Sequence, residues 1–196
     1  ILIDSLPNHP NLDHTLLKDL ITPKTKAIVI VHYAGVACNM EYIMNLVHEH
    51  YQKTNQFIFV IEDAAQAFDS FYQGKPLGGW GHFGCFSFHE TKNITCGEGG
   101  ALVINDVNFI NRSEILREKG TNRTDFINGK VNKYSWVDLG SSYIPSELCA
   151  AYLLVQLNDL QNIKEKRKYI WNFYYDRLKC LSMSSSDALS DSDALI

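Results

Sequence analysis

The stretch "FIFVIEDAAQ" spans residues 57–66. Five apolar residues, two of them aromatic and three β-branched or flanking them, run into two adjacent carboxylates and then into small residues. A short apolar run of this kind, closed by polar residues, reads as a buried strand that ends at Glu62-Asp63. Upstream, "AIVIV" at 27–31 has the same character. Between the two, Asn39 is placed to cap a helix on which Met40, Ile43, Met44, Val47 and Tyr51 recur at helical spacing. Strand, helix and strand at this spacing predict a βαβ unit, and so an α/β fold with parallel strands buried on both faces.

Outward from that unit, Asp13 is placed to cap a short helix with Leu16, Leu17, Leu20 and Ile21 on one side, and "ILIDSL" at the start reads as a strand already under way. From 68 to 104 the pattern becomes short strands with Gly-rich turns, "DSFY", "CFSF" and "ALVI". A helix is expected over 106–119 and a long one from Pro145, whose "LCAAYLLVQL" is apolar nearly all round and calls for burial in the core or against a partner subunit. The ending "SMSSSDALSDSDALI" lacks periodicity and reads as a disordered tail from about 179.

The chain has 196 residues, 45% of them hydrophobic, which suits one sizeable core. A formal charge of −4 leaves no basic excess to neutralise phosphates, which argues against nucleic acid as a partner. The one dense basic run, 164–168, reads as a solvated helix face. Five scattered cysteines without a C-x-x-C point to reduced thiols in a cytoplasmic protein with no disulfide framework and no zinc site. No signal peptide is visible and no run of about 18 apolar residues could span a bilayer, so the sequons at Asn93, Asn111 and Asn122 are read as chance.

Gly79-Trp80-Gly81-His82-Phe83-Gly84 satisfies G-x-G-x-x-G literally. Turn residues precede it and the strand-like "CFSF" follows, whereas a dinucleotide fingerprint lies between a strand and a helix. The glycines are therefore expected to serve turns. Asp63 is different, because open α/β sheets place ligand-binding groups at the carboxyl ends of strands; a helix N-cap is its alternative role. Lys92 ends the segment "GCFSFHETKN" (84–93), where an apolar strand delivers an amine to a polar cluster. Desolvation or neighbouring cations make such an amine nucleophilic. Strand-end Asp63, then Ser87, then Lys92 five residues on supply the parts that pyridoxal phosphate chemistry needs: an acid for the ring nitrogen, a phosphate donor and a Schiff-base lysine. A surface lysine at a strand's end is the alternative.

"VIEDAAQAF" (60–68), "GCFSFHETKN", "GEGGALVIND" (97–106) and "REKG" (117–120) resemble the signature segments of the DegT/DnrJ family of nucleotide-sugar aminotransferases. "VHYAGVACNM", "EKGTNRTDFINGKVNKYSW" and "DLGSSYIPSELCAAYLLVQL" resemble the members that aminate dTDP-4-keto-6-deoxyhexoses, and the likeness runs from residue 1 to about 178. It implies fold type I of the pyridoxal phosphate enzymes, with a three-layer α/β/α large domain, here incomplete at both ends, and a homodimer. It further implies Lys92 as the Schiff-base lysine and proton shuttle, Asp63 at the pyridine nitrogen, Gln66 at the 3-hydroxyl and Ser87 on the phosphate. His89 is implied to line the same pocket. The implied reaction transfers the amino group of L-glutamate to C4 of a dTDP-4-keto-6-deoxyhexose for surface polysaccharide synthesis, with no metal. Two alternatives stand beside it: amination at C3 of a related nucleotide sugar, and a truncated, inactive member. A dehydratase relative would carry His where this chain has Lys92. The family's cross-subunit Asn is replaced by Ile144 in "SSYIPSE", which moves that phosphate contact to Ser142.

Overall fold

The computed structural model describes residues 1–179. A 3₁₀ turn at His14–Leu16 leads into α1 (Leu17–Leu20), followed by β1 (Ala27–Val31), α2 (Met40–Thr54) and β2 (Phe59–Asp63). A small antiparallel pair, β3 (Phe71–Tyr72) and β4 (Lys75–Pro76), precedes β5 (Phe83–Ser87) and β6 (Gly100–Ile104). Helices α3 (Ile110–Arg117), α4 (Arg123–Ile127), α5 (Glu147–Asn158) and α6 (Leu160–Leu178) complete the described chain. The main sheet has the order β1-β2-β5-β6, with β1, β2 and β5 parallel and β6 antiparallel to β5.

The βαβ unit forms where its apolar spacing predicts. Asn39 caps α2 by accepting the Tyr42 N–H, and Asn55, in the left-handed region, closes it. Met40, Ile43 and Val47 pack with Ile28, Ile30, Ile58 and Val60 as one core. Fully burying side chains of this size contributes about 1.5–3 kcal/mol each. Asp13 caps the turn at His14–Leu16 through Thr15 N–H, as expected.

Three expectations need correction. Only one face of β1 is buried: Ile28 and Ile30 lie under α2, whereas Val29 and Val31 are 60% and 44% exposed. Across the middle of the sheet the other face is covered in part, by Phe109 ahead of α3 packing edge-on against Phe59 and Phe83. The start of the chain makes a single antiparallel bridge, Ser5 to Leu12, instead of a strand. The long helix is two, and Ser146 rather than Pro145 opens the first by accepting the Cys149 N–H. Its apolar surface is largely exposed in this chain, with Leu148, Leu154 and Val155 all well over half accessible; only the side carrying Cys149 and Leu153 meets the core around Phe88, Ile94 and Cys96. The tail from 180 onward, with Cys180, lies outside the described residues. No helix among the described residues is long and apolar enough to cross a membrane, and no group of metal-ligating side chains occurs among them.

Glu62 organises the carboxyl ends of the strands. It is fully buried, and its carboxylate accepts His32 Nε2–H at 3.0 Å together with the backbone N–H groups of Gly78, Trp80 and Gly81 at 2.7, 2.7 and 2.6 Å. His32 Nδ1 accepts the Cys38 N–H, which leaves the ring proton on Nε2 facing Glu62. The glycine-rich segment thus binds a carboxylate of its own chain, and its glycines serve close backbone approach: a Cβ at Gly81 would sit 2.6 Å from the Val60 carbonyl oxygen, and one at Gly84 would collide with the Gly78 backbone. Burial pushes the Glu62 carboxyl up, but the bonds from His32, Gly81 and Gly78 outweigh it and hold it below its ordinary 4.5. A depressed carboxyl contributes stability that is complete above 4.5 and disappears as pH falls through the lower folded-state value. Glu62→Gln is expected to lower unfolding free energy by about 3 kcal/mol at neutral pH and to flatten the loss of stability below pH 4.5, as read from urea unfolding across pH.

Candidate active site

The three parallel strands end side by side, and the segments leaving them border one open cleft of about 370 Å³. Ala34 follows β1, Ala65, Gln66 and Phe68 follow β2, and Ser87, Thr91, Lys92, Asn93 and Ile94 come from β5 and the loop beyond it. Of the residues expected from the sequence, Gln66, Ser87 and Lys92 line this cleft together.

Asp63 is the last residue of β2, paired with Val31 on one side and Cys85 on the other. Its Oδ1 accepts the N–H of Ala65, a cleft residue, at 3.1 Å. It therefore caps a turn, and the helix it could have capped does not form. The Cys85 thiol is pushed up by burial and, secondarily, by the charge of Asp63, which places that carboxylate's field at the strand end.

Gln66 is held by a contact the sequence does not announce. Its Oε1 accepts the Ala34 N–H at 2.7 Å. An N–H can be received only by the amide oxygen, so the amide NH₂ is left to donate elsewhere. Ala34 meets it from the left-handed region, at φ 53°, where a residue with a Cβ is uncommon. The "YAG" after β1 was the available signal: a turn of small residues at a strand end. Ser87 Oγ accepts the His89 N–H at 3.3 Å, which keeps its hydroxyl hydrogen for another partner. The amine of Lys92 meets no carboxylate among the described residues, while its backbone N–H is anchored to the His89 carbonyl at 2.9 Å.

His89 and Ser142 are not among the cleft residues. The His89 ring is turned to the Thr91 hydroxyl at 2.9 Å and to Glu98 at 3.6 Å, so it orders the loop that bears Lys92. Ser142 bridges Glu118, in a segment stitched to the end of α3 by Lys119 N–H to Ser141 O and Tyr143 N–H to Arg117 O. Thr91 and Asn93 are cleft residues that motif reading missed, since both sit beside Lys92 without a spacing of their own.

A sheet whose carboxyl ends gather an amide, a hydroxyl and a lysine around one cleft, with Asp63 at the adjoining strand end but not itself among the cleft residues, has the frame of the fold type I pyridoxal phosphate enzymes, and the solved structures it matches are of that kind. The chain belongs to the DegT/DnrJ/EryC1/StrS aminotransferase family, whose sequence model matches residues 1–194. It is 34% identical to the GDP-perosamine synthase of Caulobacter vibrioides over 91% of this chain and 44% of that protein. It is 33% identical to the UDP-4-amino-4,6-dideoxy-N-acetyl-beta-L-altrosamine transaminase of Helicobacter pylori, over 88% and 43% respectively. Among solved structures, Helicobacter pylori PseC, an aminotransferase of pseudaminic acid biosynthesis, matches with a TM-score of 0.80 at 30% identity, covering 91% of this chain and 45% of that one. A sugar aminotransferase from Streptococcus pneumoniae in its PLP-form matches with a TM-score of 0.81 at 25% identity, covering 100% and 52%. The chain thus spans less than half the length of the curated relatives it matches.

Two outcomes follow from this geometry. Gln66→Leu leaves the exposed Ala34 N–H to water and is expected to cost about 0.5–1.5 kcal/mol with faster hydrogen exchange at that amide. Asp63→Asn removes the charge that raises the Cys85 thiol, so iodoacetamide should alkylate Cys85 faster at a fixed pH than in the unaltered protein, as followed by peptide mass analysis.

Proposed function

We propose that this chain carries the cofactor site of a pyridoxal phosphate-dependent aminotransferase acting on a nucleotide-linked 4-keto-6-deoxyhexose, with L-glutamate as amino donor and the dTDP sugar as acceptor. The observation that carries the reading is the set of unspent valences around the cleft: an amide NH₂ at Gln66, a hydroxyl hydrogen at Ser87 and a lysine amine with no carboxylate partner. Two neutral donors suit the two anionic ends of pyridoxal phosphate, its phenolic oxygen and its phosphate. The Asp63 carboxylate, with one oxygen on Ala65 N–H, keeps the other for a cationic ring N–H. The donor set fits the group.

In this reading Asp63 keeps a proton at the ring nitrogen, Gln66 Nε2 donates to the phenolic oxygen, and Ser87 donates to the phosphate. Pyridoxal phosphate, when bound, supplies an electron sink for carbanion chemistry at the amino-bearing carbon. Lys92 Nζ would hold the aldehyde end and, once displaced from it by the amino group of the substrate, would carry the proton on and off that carbon as general base and acid, a role suited to an amine with no carboxylate partner among the described residues. Phe68 and Ile94 flank the cleft with apolar surface that limits water around the amine. No residue in this scheme calls for a metal.

Amination at C4 is supported by the Helicobacter pylori relative, whose name carries a 4-amino-4,6-dideoxy sugar. The nucleotide is the least constrained part, since that relative acts on a UDP sugar and the Caulobacter vibrioides one makes a GDP sugar. The family's homodimer and a cytoplasmic setting belong to the same proposal, as does a cross-subunit role for Ser142.

The test adds pyridoxal phosphate to the purified chain and follows its visible absorption with and without L-glutamate. A band that glutamate bleaches and that Lys92→Ala abolishes is expected, with 2-oxoglutarate release falling about 10²–10⁴-fold in the variant. Offering dTDP-, UDP- and GDP-linked 4-keto-6-deoxyhexoses then ranks the acceptors. A band that persists unchanged in Lys92→Ala overturns the assignment of the lysine. Amination of a 3-keto sugar in preference to all three overturns the regiochemistry.

A further inference from the structure

The two walls of the cleft are irregular backbone. One, after β2, carries Gln66 and Phe68 and ends at Asp69, which sits in the left-handed region at φ 59°. The other, after β5, carries Thr91, Lys92, Asn93 and Ile94. Neither wall is a regular element, so something outside the cleft must set their separation.

Both are tied to the same pair of helices. Gln156, near the end of α5, accepts the backbone N–H of Thr95 through Oε1 at 3.0 Å, three residues beyond Lys92. Lys164, in the first turns of α6, pairs with Asp69 Oδ2 at 2.9 Å, with both side chains about three-quarters buried. Between these polar ties, Phe68 and Ile94, one from each wall, join the apolar cluster that also holds Cys149 and Leu153 of α5 and Leu160 and Ile163 of α6. No residue of either helix lines the cleft.

We propose that Gln156 and Lys164 are positioning residues, and that the α5–α6 pair sets the distance between the Lys92 wall and the Phe68 wall. The proposal rests on the reading of this cleft as the cofactor site. A backbone N–H that loses its acceptor lets its segment open, and a half-buried ion pair that loses one partner leaves the other to seek water. Either change would shift one wall while the strands stay in place, because β1, β2 and β5 are held separately by Glu62.

The experiment uses the full chain and four variants: Gln156→Leu and Lys164→Met, which delete the ties, and Gln156→Glu and Lys164→Arg, which keep an acceptor or a cation. Backbone hydrogen exchange across 89–96 and 64–70 is measured with pyridoxal phosphate affinity and with the urea midpoint. The expected result is faster exchange at Thr95 in Gln156→Leu and around Asp69 in Lys164→Met, affinity weakened about tenfold in each, and recovery in the conservative variants. The recovery and the segment-specific exchange are what a general packing role would not produce. Unchanged exchange at Thr95 in Gln156→Leu, or affinity that falls only in step with the urea midpoint, overturns the proposal. Should the unaltered chain bind no pyridoxal phosphate, the cofactor reading fails by itself, and the exchange arm alone decides whether the helices hold the walls.

Discussion

The buried carboxylate of Glu62 is the interaction on which the rest depends. A charge taken out of water is tolerated only when its lone pairs are met, and here four donors meet it, from His32 at the end of β1 and from Gly78, Trp80 and Gly81 ahead of β5. One side chain of the middle strand therefore fixes the segments beside both neighbouring strands. The chain leaving β1 passes through Ala34 to the Gln66 amide, and the chain entering β5 delivers Ser87 and then Lys92. The site's precision derives from this hub, which lies on the helix-covered side of the sheet.

The division of labour is clear from what each polar group has left to offer. Glu62 has spent its acceptors on its own fold, and its carboxyl is held low by that environment. Gln66, Ser87 and Lys92 each keep a donor or an amine for something else. Buried groups that are satisfied internally support structure, whereas partly exposed groups with capacity in reserve are where binding is built. Buried Cys38 and Cys96 follow the first pattern. Cys38 is pushed up to about 12 by burial and by nearby Glu62, and the four cysteines of the described residues are all unpaired thiols.

The parts legible in the sequence were those set by local periodicity. The βαβ unit, the Asn39 cap and the placing of Asp63 at a strand end follow from spacing and residue type alone, whereas Lys92 lies in the loop five residues past the end of β5. The glycine-rich segment leads into a strand, as its flanks predict, but the group it contacts, Glu62, lies 16 to 19 residues back and no pattern links them. Gln66 and Ala34 are 32 residues apart, and the turn between them and the strand ends is stabilised by one bond that composition does not reveal. What covers α5 is not legible for a related reason. A helix apolar on every side needs cover, but the identity of the cover is a tertiary fact, and in this chain only the Cys149–Leu153 side has it. His89 and Ser142 were placed by resemblance, and their contacts in this chain lie with Thr91, Glu98 and Glu118.

Glu62 and Asp63 are neighbours in sequence with opposite fates because a strand turns successive side chains to opposite faces. That pleat makes the middle strand intolerant of any change in length. Inserting or deleting one residue ahead of Glu62 would exchange the two carboxylates, sending the internal anchor to the opposite face and turning Asp63 toward the glycine amides. The internal anchor and the candidate site thus depend on one register of the backbone, which a substitution in β2 preserves and an insertion or deletion shifts.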